Sequence, residues 1–181
     1  MSTTHVATGI ALATPLVWLA PEFAAVAAIA GIVGGAFPDV DLFWGVHRKT
    51  LHFPIYYWLP AAGFAALAVV DPGPVAVGAA VFFAAAAVHS VVDWFGAADE
   101  PRPWERTSDR GVFVHPLGRW LAPRYWVRYD GSPEDLLLTV LLAGPGIVWF
   151  DGPVRTLALA TVVLGAVYAA VRKRIPDYVE L

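Results

Sequence analysis

The sequence contains no cysteine among its 181 residues. This absence excludes disulfide bonds, thiolate metal ligands and cysteine nucleophiles, so any metal ion must be bound through nitrogen and oxygen atoms. Charged residues are also scarce, at 15% of the chain against about 25% in an average soluble domain. The net charge of −3 provides no overall positive field that would attract nucleic acid, and we expect no nucleic-acid partner.

Hydrophobic residues are abundant, at 58% of the chain with a mean hydropathy of +0.61, which exceeds what soluble domains carry. Six apolar runs lack Asp, Glu, Lys and Arg: Val6–Pro21, Phe23–Pro38, Phe53–Val70, Pro72–Val88, Leu136–Phe150 and Thr156–Val171. With a rise of about 1.5 Å per residue, each is long enough, or nearly so, to cross the bilayer core as a helix. We therefore expect an all-α polytopic membrane protein with about six short transmembrane helices, forming a single domain over residues 1–181. Because the runs are short, the alternative for any one of them, the first two above all, is a buried or re-entrant helix.

One long polar insert interrupts this pattern between Trp94 and Gly131. Residues 112–114 and 125–129 are rich in β-branched and aromatic side chains, which predicts short strands or interfacial segments. The insert contains five large aromatic residues of interest, which are Trp94, Trp104, Trp120, Tyr125 and Trp126. They either lie against lipid headgroups or pack within the insert. Ser132 and Pro133, followed by two acidic residues, indicate the start of the next helix.

The distribution of positive charge predicts the orientation. If all six runs cross the membrane, eleven of the twelve Lys and Arg residues fall on one side, and Arg155 alone on the other. The positive-inside rule then places both termini and the 94–131 insert in the cytoplasm. We expect a multi-pass protein of the cell membrane, with membrane lipids among its partners.

Histidine and aspartate residues collect at the cytoplasmic ends of these predicted helices. The candidates are His5, Asp39, Asp41, His47, His52, His89 and Asp93. His89 and Asp93 are spaced i,i+4 and should share one face of a helix. Gly34, Gly35 and Pro38 should end the second helix. Asp39 and Asp41 would then lie on a tight, non-helical corner after it. Each group has an ordinary structural explanation alone, but ionisable groups near a membrane are costly, so their convergence predicts a metal site.

A mixed set of imidazole and carboxylate ligands favours zinc first, with manganese or iron as alternatives. The number of candidate ligands allows one or two ions, and a pair of ions would favour hydrolysis of a phosphoester.

Three short motifs support a family resemblance over about residues 5–95. Pro38-Asp39-Val40-Asp41 forms PDxD, His47-Arg48 with His52 forms HR(x)3H, and His89 with Asp93 forms HxxxD. Together with His5 they resemble the membrane-bound metal-dependent hydrolases, including the LexA-regulated inner-membrane hydrolases. That family is similar in turn to the zinc-dependent phospholipase C superfamily.

The resemblance implies functional roles for these residues. It implies metal ligation by His5, by one of the pair Asp39 and Asp41, and by His52, His89 and Asp93. The other Asp of the pair would orient or deprotonate water, so the candidate catalytic residues are Asp39, Asp41 and His47.

A departure from the family pattern occurs at residues 115–119. The phospholipase pattern continues with HxxxE, whereas this chain has His115 followed by Arg119, which argues against a complete three-metal centre. Arg119, with Arg48, Arg110 and His115, is instead a candidate for binding an anionic substrate, since guanidinium groups suit phosphate.

Two functions remain open from the sequence. The first is a membrane-embedded metal-dependent hydrolase that acts at the cytoplasmic face on a phosphoester-containing or lipid-like small molecule. The second is a non-catalytic membrane protein whose cluster is a structural metal clamp, or a metal or proton relay, and whose insert binds anionic lipid or a protein partner. An open coordination position distinguishes a catalytic from a structural zinc site.

Overall fold

The computed structural model describes residues 1–178 and consists mainly of helices. The α-helices are α1 (Ser2–Ala13), α2 (Leu16–Leu19), α3 (Pro21–Ala36), α4 (Trp58–Val70), α5 (Pro74–Phe95), α6 (Pro133–Trp149) and α7 (Gly152–Val171). Three 3₁₀ segments cover Phe37–Leu42, His115–Leu117 and Arg172–Asp177. The strands β1 (Val112–Val114) and β2 (Arg119–Leu121) form an antiparallel hairpin in the insert.

Every predicted apolar run lies largely within a helix, and in the part of the chain that the structure describes three helices are long and apolar enough to cross a membrane. These three are Pro21–Leu42, Pro74–Phe95 and Gly152–Asp177, each taken with its 3₁₀ extension where it has one. Helix α4 is apolar but shorter, at 13 residues. The helices indicate a membrane protein, as the sequence predicts, while the total of six spans stays a prediction.

Small residues allow the helices to pack closely. Helix α3 packs between α1 and α5, α4 packs on α5, and α6 packs on both α1 and α7. Alanines fill much of the interior, among them Ala7, Ala27 and Ala86, whereas large apolar side chains such as Leu59 and Val163 face outward. Close contact through small residues is typical of helices that associate within a lipid bilayer.

Gly34 and Gly35 do not end the second helix, contrary to the sequence-based expectation, because α3 continues through Ala36. They serve close packing instead. A methyl group on Gly35 would overlap the carbonyl oxygen of His5 in α1, and one on Gly34 would overlap the backbone of Phe82 in α5. The corner that follows is a 3₁₀ helix, Phe37–Leu42, with Pro38 in its first turn.

Residues 112–114 and 125–129 of the insert are both predicted as short strands or interfacial segments, and residues 112–114 form strand β1 whereas residues 125–129 form no strand. Strand β1 pairs with β2. Gly118, with φ of +60°, provides the left-handed backbone in the turn between β1 and β2. The backbone N–H groups of Tyr125 and Trp126 donate instead to Gly96 and Phe95 at the end of α5.

The predicted start of α6 is confirmed. Ser132 Oγ accepts a hydrogen bond from the Asp135 backbone N–H at 3.3 Å, and Pro133 occupies the first turn. This cap fixes the point where the polar insert ends and the apolar helix begins.

The insert contacts both the loop between α3 and α4 and the end of α7 at one end of the bundle. The Phe113 N–H of β1 donates to the Arg48 carbonyl at 3.0 Å. Arg172, at the end of α7, donates to both carboxylate oxygens of Asp130 in the insert, at 2.8 and 3.0 Å. The insert is therefore attached to the α3–α4 loop on one side and to α7 on the other.

Candidate metal centre

Four side chains from three parts of the chain meet at this end of the bundle. Asp39 lies on the 3₁₀ helix after α3, and His52 lies in the loop before α4. His89 and Asp93 project from successive turns of α5, as their spacing predicts. His52, His89 and Asp93 are almost fully buried.

The four candidate ligand atoms are Asp39 Oδ1, His52 Nε2, His89 Nε2 and Asp93 Oδ2, and one ligand atom from each residue lies within 4.8 Å of the others. The two Nε2 atoms are 3.1 Å apart. Asp93 Oδ2 is 3.1 Å from His52 Nε2 and 3.4 Å from His89 Nε2. Asp39 Oδ1 is 3.2 Å from His89 Nε2 and 3.7 Å from His52 Nε2.

The hydrogen bonds of the two imidazoles determine which nitrogen carries the hydrogen. His89 Nδ1 lies 2.6 Å from the Gly35 carbonyl oxygen, and His52 Nδ1 lies 3.0 Å from Asp41 Oδ2. Both oxygens are acceptors, so each Nδ1–H donates to its oxygen. In their neutral forms both rings therefore direct an Nε2 lone pair toward the same point, beside two carboxylate oxygens.

Four acceptor atoms facing one another repel unless a cation or protons lie between them. Asp93 Oδ2 is buried and has no hydrogen-bond partner among the described residues, which makes the arrangement costly without an ion. An ion about 2.0–2.1 Å from four tetrahedral donors separates them by about 3.3 Å, and the observed separations lie around this value. The residues therefore fit a divalent ion bound by two imidazoles and two carboxylates.

Asp41 joins two histidines. Its Oδ1 lies 2.7 Å from His47 Nδ1, while its Oδ2 contacts His52 Nδ1 and accepts from the Leu51 N–H at 3.2 Å. The carboxylate is buried, so it fixes the orientation of both rings. A carboxylate behind a ligating histidine is a common feature of metal sites. Asp41, His47 and His52 also form a second group with metal-ligand spacing.

His5 lies next to the four-atom group. Its ring stacks on the His89 ring with centroids 3.6 Å apart, and its Nε2 lies 3.0 Å from Asp93 Oδ1, the oxygen that faces away from the two Nε2 atoms. Ser2 Oγ donates to Asp39 Oδ2 at 2.7 Å. Helix α1 thus holds the outer oxygen of each ligand carboxylate.

Arg48 is a buried cation beside the cluster. Its backbone is left-handed, with φ of +59°, and its Nη1 donates to the carbonyls of Ala97 and Gly111. Its Nε lies 3.7 Å from Asp93 Oδ2 and has no hydrogen-bond partner among the described residues. The positive charge therefore lies against the acidic side of the cluster.

A cavity of about 590 Å³ adjoins the cluster. Its lining includes Asp39, His47, Arg48 and Asp93 from the cluster, and also Asp130, Tyr168 and Arg172. The side chain of His47 is 18% exposed, in contrast to the buried His52. Because its Nδ1 is held by Asp41, the free nitrogen of His47 is Nε2.

Of the other predicted substrate-binding residues, Arg110 and Arg119 are exposed, and Arg110 lies over the Trp120 ring. His115 packs against the Phe53 ring at 4.6 Å. Burial and then the charge of Lys49 lower the pKa of His115, which favours its neutral form. Among the described residues, none of these three lines the cavity.

Tyr57 stabilises the loop that carries His52. Its hydroxyl donates to the Leu51 carbonyl at 2.8 Å. The Tyr57 side chain is buried, so this hydrogen bond is shielded from solvent.

Three groups at or near this site were not predicted from the sequence: the Gly35 carbonyl, Asp130 and Arg172. The Gly35 carbonyl carries no sequence signal for ligand orientation, since every residue has one. Asp130 and Arg172 are 42 positions apart, and no local motif links them. The nearest feature that the sequence did predict is the start of α6 at Ser132, two residues after Asp130.

Comparison of the chain with protein-family models, with curated proteins and with solved structures finds no match. The resemblance to membrane-bound hydrolases therefore rests on the motifs alone.

Proposed function

We propose that this protein is a membrane-embedded, metal-dependent hydrolase that acts at the cytoplasmic face on a phosphoester-containing or lipid-like small molecule. The observation that carries the proposal is the convergence of two imidazole lone pairs and two carboxylate oxygens beside a cavity. Zinc is the first choice for the ion, since it accepts mixed nitrogen and oxygen ligands in compact sites. Manganese and iron are the alternatives.

Asp39, His52, His89 and Asp93 would hold the ion, with Asp41 behind His52. When bound, a divalent cation supplies Lewis-acid catalysis: it polarises an ester oxygen and makes water acidic enough to ionise near neutral pH. A second ion near Asp41, His47 and His52 would compete with the hydrogen bonds that these residues form with one another, so the proposal is for one ion.

His47 is the proposed general base. Asp41 accepts the Nδ1–H of this ring and so keeps Nε2 free to take a proton from water in the cavity. The partial exposure of the His47 side chain supports this role, because a base must reach the substrate. Asp41 is a positioning residue for both His47 and His52.

Arg48 is the proposed contact for an anionic group of the substrate. Its guanidinium is held by two backbone carbonyls and lines the cavity, so it can donate to an oxygen without reorganising. The location of all but one Lys and Arg residue at this end supports the cytoplasmic assignment.

The experiment compares turnover and metal content in the same preparations. Purified protein loaded with zinc is assayed with a para-nitrophenyl phosphodiester and with phospholipid vesicles. We expect His47→Gln to lose about 10²- to 10⁴-fold in turnover while keeping its metal, as for loss of a general base. His115→Gln, outside the cavity, serves as the matched control and should keep both.

The hydrolase proposal fails if the metal-loaded wild type turns over none of four probe classes: phosphomonoesters, phosphodiesters, carboxylic esters and amides. A fully closed coordination shell in the same protein would then favour the structural clamp or relay.

A further inference from the structure

An exposed apolar surface lies along the segment that connects α3 to α4. We call it the aromatic rim, and its residues are Leu42, Phe43, Trp44, Val46, Tyr56 and Trp58. Phe43 is 87% exposed and Trp44 is 58% exposed. No charged residue interrupts positions 42–46. Side chains of this size and exposure need a covering partner.

The rim continues directly from an apolar helix that is long enough to cross a membrane. Leu42 is the last residue of the candidate span Pro21–Leu42, and Trp58 is the first residue of α4. A surface that continues a lipid-facing helix borders the same solvent as that helix, so the bilayer is the nearest candidate partner.

A second aromatic group marks the opposite end of the bundle. Trp18, which is 60% exposed, packs edge-on against Trp149 with ring centroids 5.1 Å apart. The 22 residues of Pro21–Leu42 separate the two groups by about 33 Å along a helix. This distance matches a hydrocarbon core of about 30 Å flanked by interfacial aromatic residues.

An exposed cation lies at the same end as the rim. Arg119 belongs to β2 of the hairpin that is hydrogen-bonded to the Arg48 carbonyl, and it is exposed. Apolar aromatic side chains near an exposed arginine suit a boundary where acyl chains meet anionic headgroups.

We propose that the aromatic rim lies in the headgroup boundary of the bilayer and holds the mouth of the cavity at that depth. Leu42 links the two features, because it belongs to the rim and also lines the cavity. Asp39 and Asp41, on the same 3₁₀ helix, then lie just inside the membrane surface. Molecules that partition into the headgroup region reach the cavity along this edge. This inference concerns the surface and holds whatever reaction the cavity supports.

The absence of cysteine makes a direct depth measurement simple. Single cysteines are introduced by Phe43→Cys, Val46→Cys and Trp18→Cys and carry a nitroxide label in vesicles of phosphatidylcholine and phosphatidylglycerol. Collision of each label with oxygen, which concentrates in lipid, and with a water-soluble nickel chelate is then measured. Asp109→Cys in the insert is the water control, and Ile29→Cys on the exposed side of α3 is the hydrocarbon control.

We expect both rim labels, and the label at residue 18, to fall between the two controls. Their collision with nickel should be several-fold lower than at residue 109 and higher than at residue 29. Nickel collision equal to that at residue 109 would show a rim in water and overturn the proposal. Immobile labels shielded from both reagents would show that a protein partner or a second copy covers the rim, and would also overturn it. Phe43→Cys and Val46→Cys test the same surface independently, so failure of one variant to fold leaves the test intact.

Discussion

The tautomers of two histidines decide the character of this site. Both Nδ1 atoms are occupied by acceptors, the Gly35 carbonyl and Asp41. If one Nδ1 carried no hydrogen, the Nε2 of that neutral ring would carry it and could donate to the Nε2 of the other ring. Because both Nδ1 atoms carry a hydrogen, His52 and His89 present lone pairs to each other, and the carboxylates of Asp39 and Asp93 add negative charge at the same point. A bound cation, or protons shared between these atoms, would relieve the repulsion.

The two loop aspartates should differ when each is changed to asparagine. Asp39→Asn removes a charged ligand and should abolish stoichiometric metal binding. Asp41→Asn removes the carboxylate behind His52, which should weaken metal affinity by about 10- to 100-fold without abolishing it. Competition with a chelator of known affinity measures both, and Arg119→Ala is the control that should match the wild type. Equal losses in the two variants would contradict the separate roles.

The sequence predicted which residue types gather here, because His and Asp stand out in an apolar chain. It left open which Asp of the pair lies beside His52 Nε2 and His89 Nε2, since Asp39 and Asp41 differ only in where the 3₁₀ helix directs them. His115 shows the reverse limit: its residue type suggested a site, whereas its ring packs against Phe53.

Helix contacts through glycine set the position of the site within the bundle. Gly35 brings α1 against α3 at His5 and also supplies the carbonyl that orients His89. The sequence pattern of Gly34, Gly35 and Pro38 resembles a helix end, and it predicted a break. Contacts with His5 and Phe82 hold the helix together through Ala36, and such tertiary contacts leave no local signal.

Gly35→Ala should destabilise the bundle, because the added methyl overlaps the His5 carbonyl. Overpacking of this kind costs about 1–3 kcal/mol, and the displacement of α1 should also lower metal content. Gly63→Ala in α4 is the matched control, since a methyl there meets no atom of residues 1–178 within 4 Å and should be neutral or stabilising. Thermal unfolding in detergent compares the two. Equal midpoints would contradict the close-packed crossing.

The hairpin illustrates a similar limit at the level of elements. Residues 112–114 form β1 as predicted, but residues 125–129 have the same composition and form no strand, because their N–H groups bind carbonyls at the end of α5. Several insert aromatics pack with cations of the protein, such as Trp94 with Arg124 at 4.7 Å. Trp126 remains 73% exposed.

At the scale of the whole molecule, the charge asymmetry predicts a single topology. Reporter fusions after Asp71 and Asp151 should lie outside the cell, and fusions after Lys49 and Asp109 should lie in the cytoplasm, because positive loops stay inside. Alkaline phosphatase and green fluorescent protein fusions report the two sides. An external signal from the Asp109 fusion would separate the insert from the cytoplasm and reverse the topology.

Composition and run length predicted a helical membrane protein, and three long helices agree with it. The number of crossings does not follow from the same evidence. Helix α4 has 13 residues and α1 has 12, and helices of that length cross a bilayer only with help from flanking residues.

The central claim is that Asp39, His52, His89 and Asp93 bind one divalent ion. Crystals of the purified wild-type protein grown with zinc can be measured on both sides of the zinc absorption edge. We expect one strong anomalous peak between His52 Nε2 and His89 Nε2, within about 2.0–2.2 Å of all four ligand atoms. No peak at that point, with the four side chains joined to one another by hydrogen bonds, would contradict it.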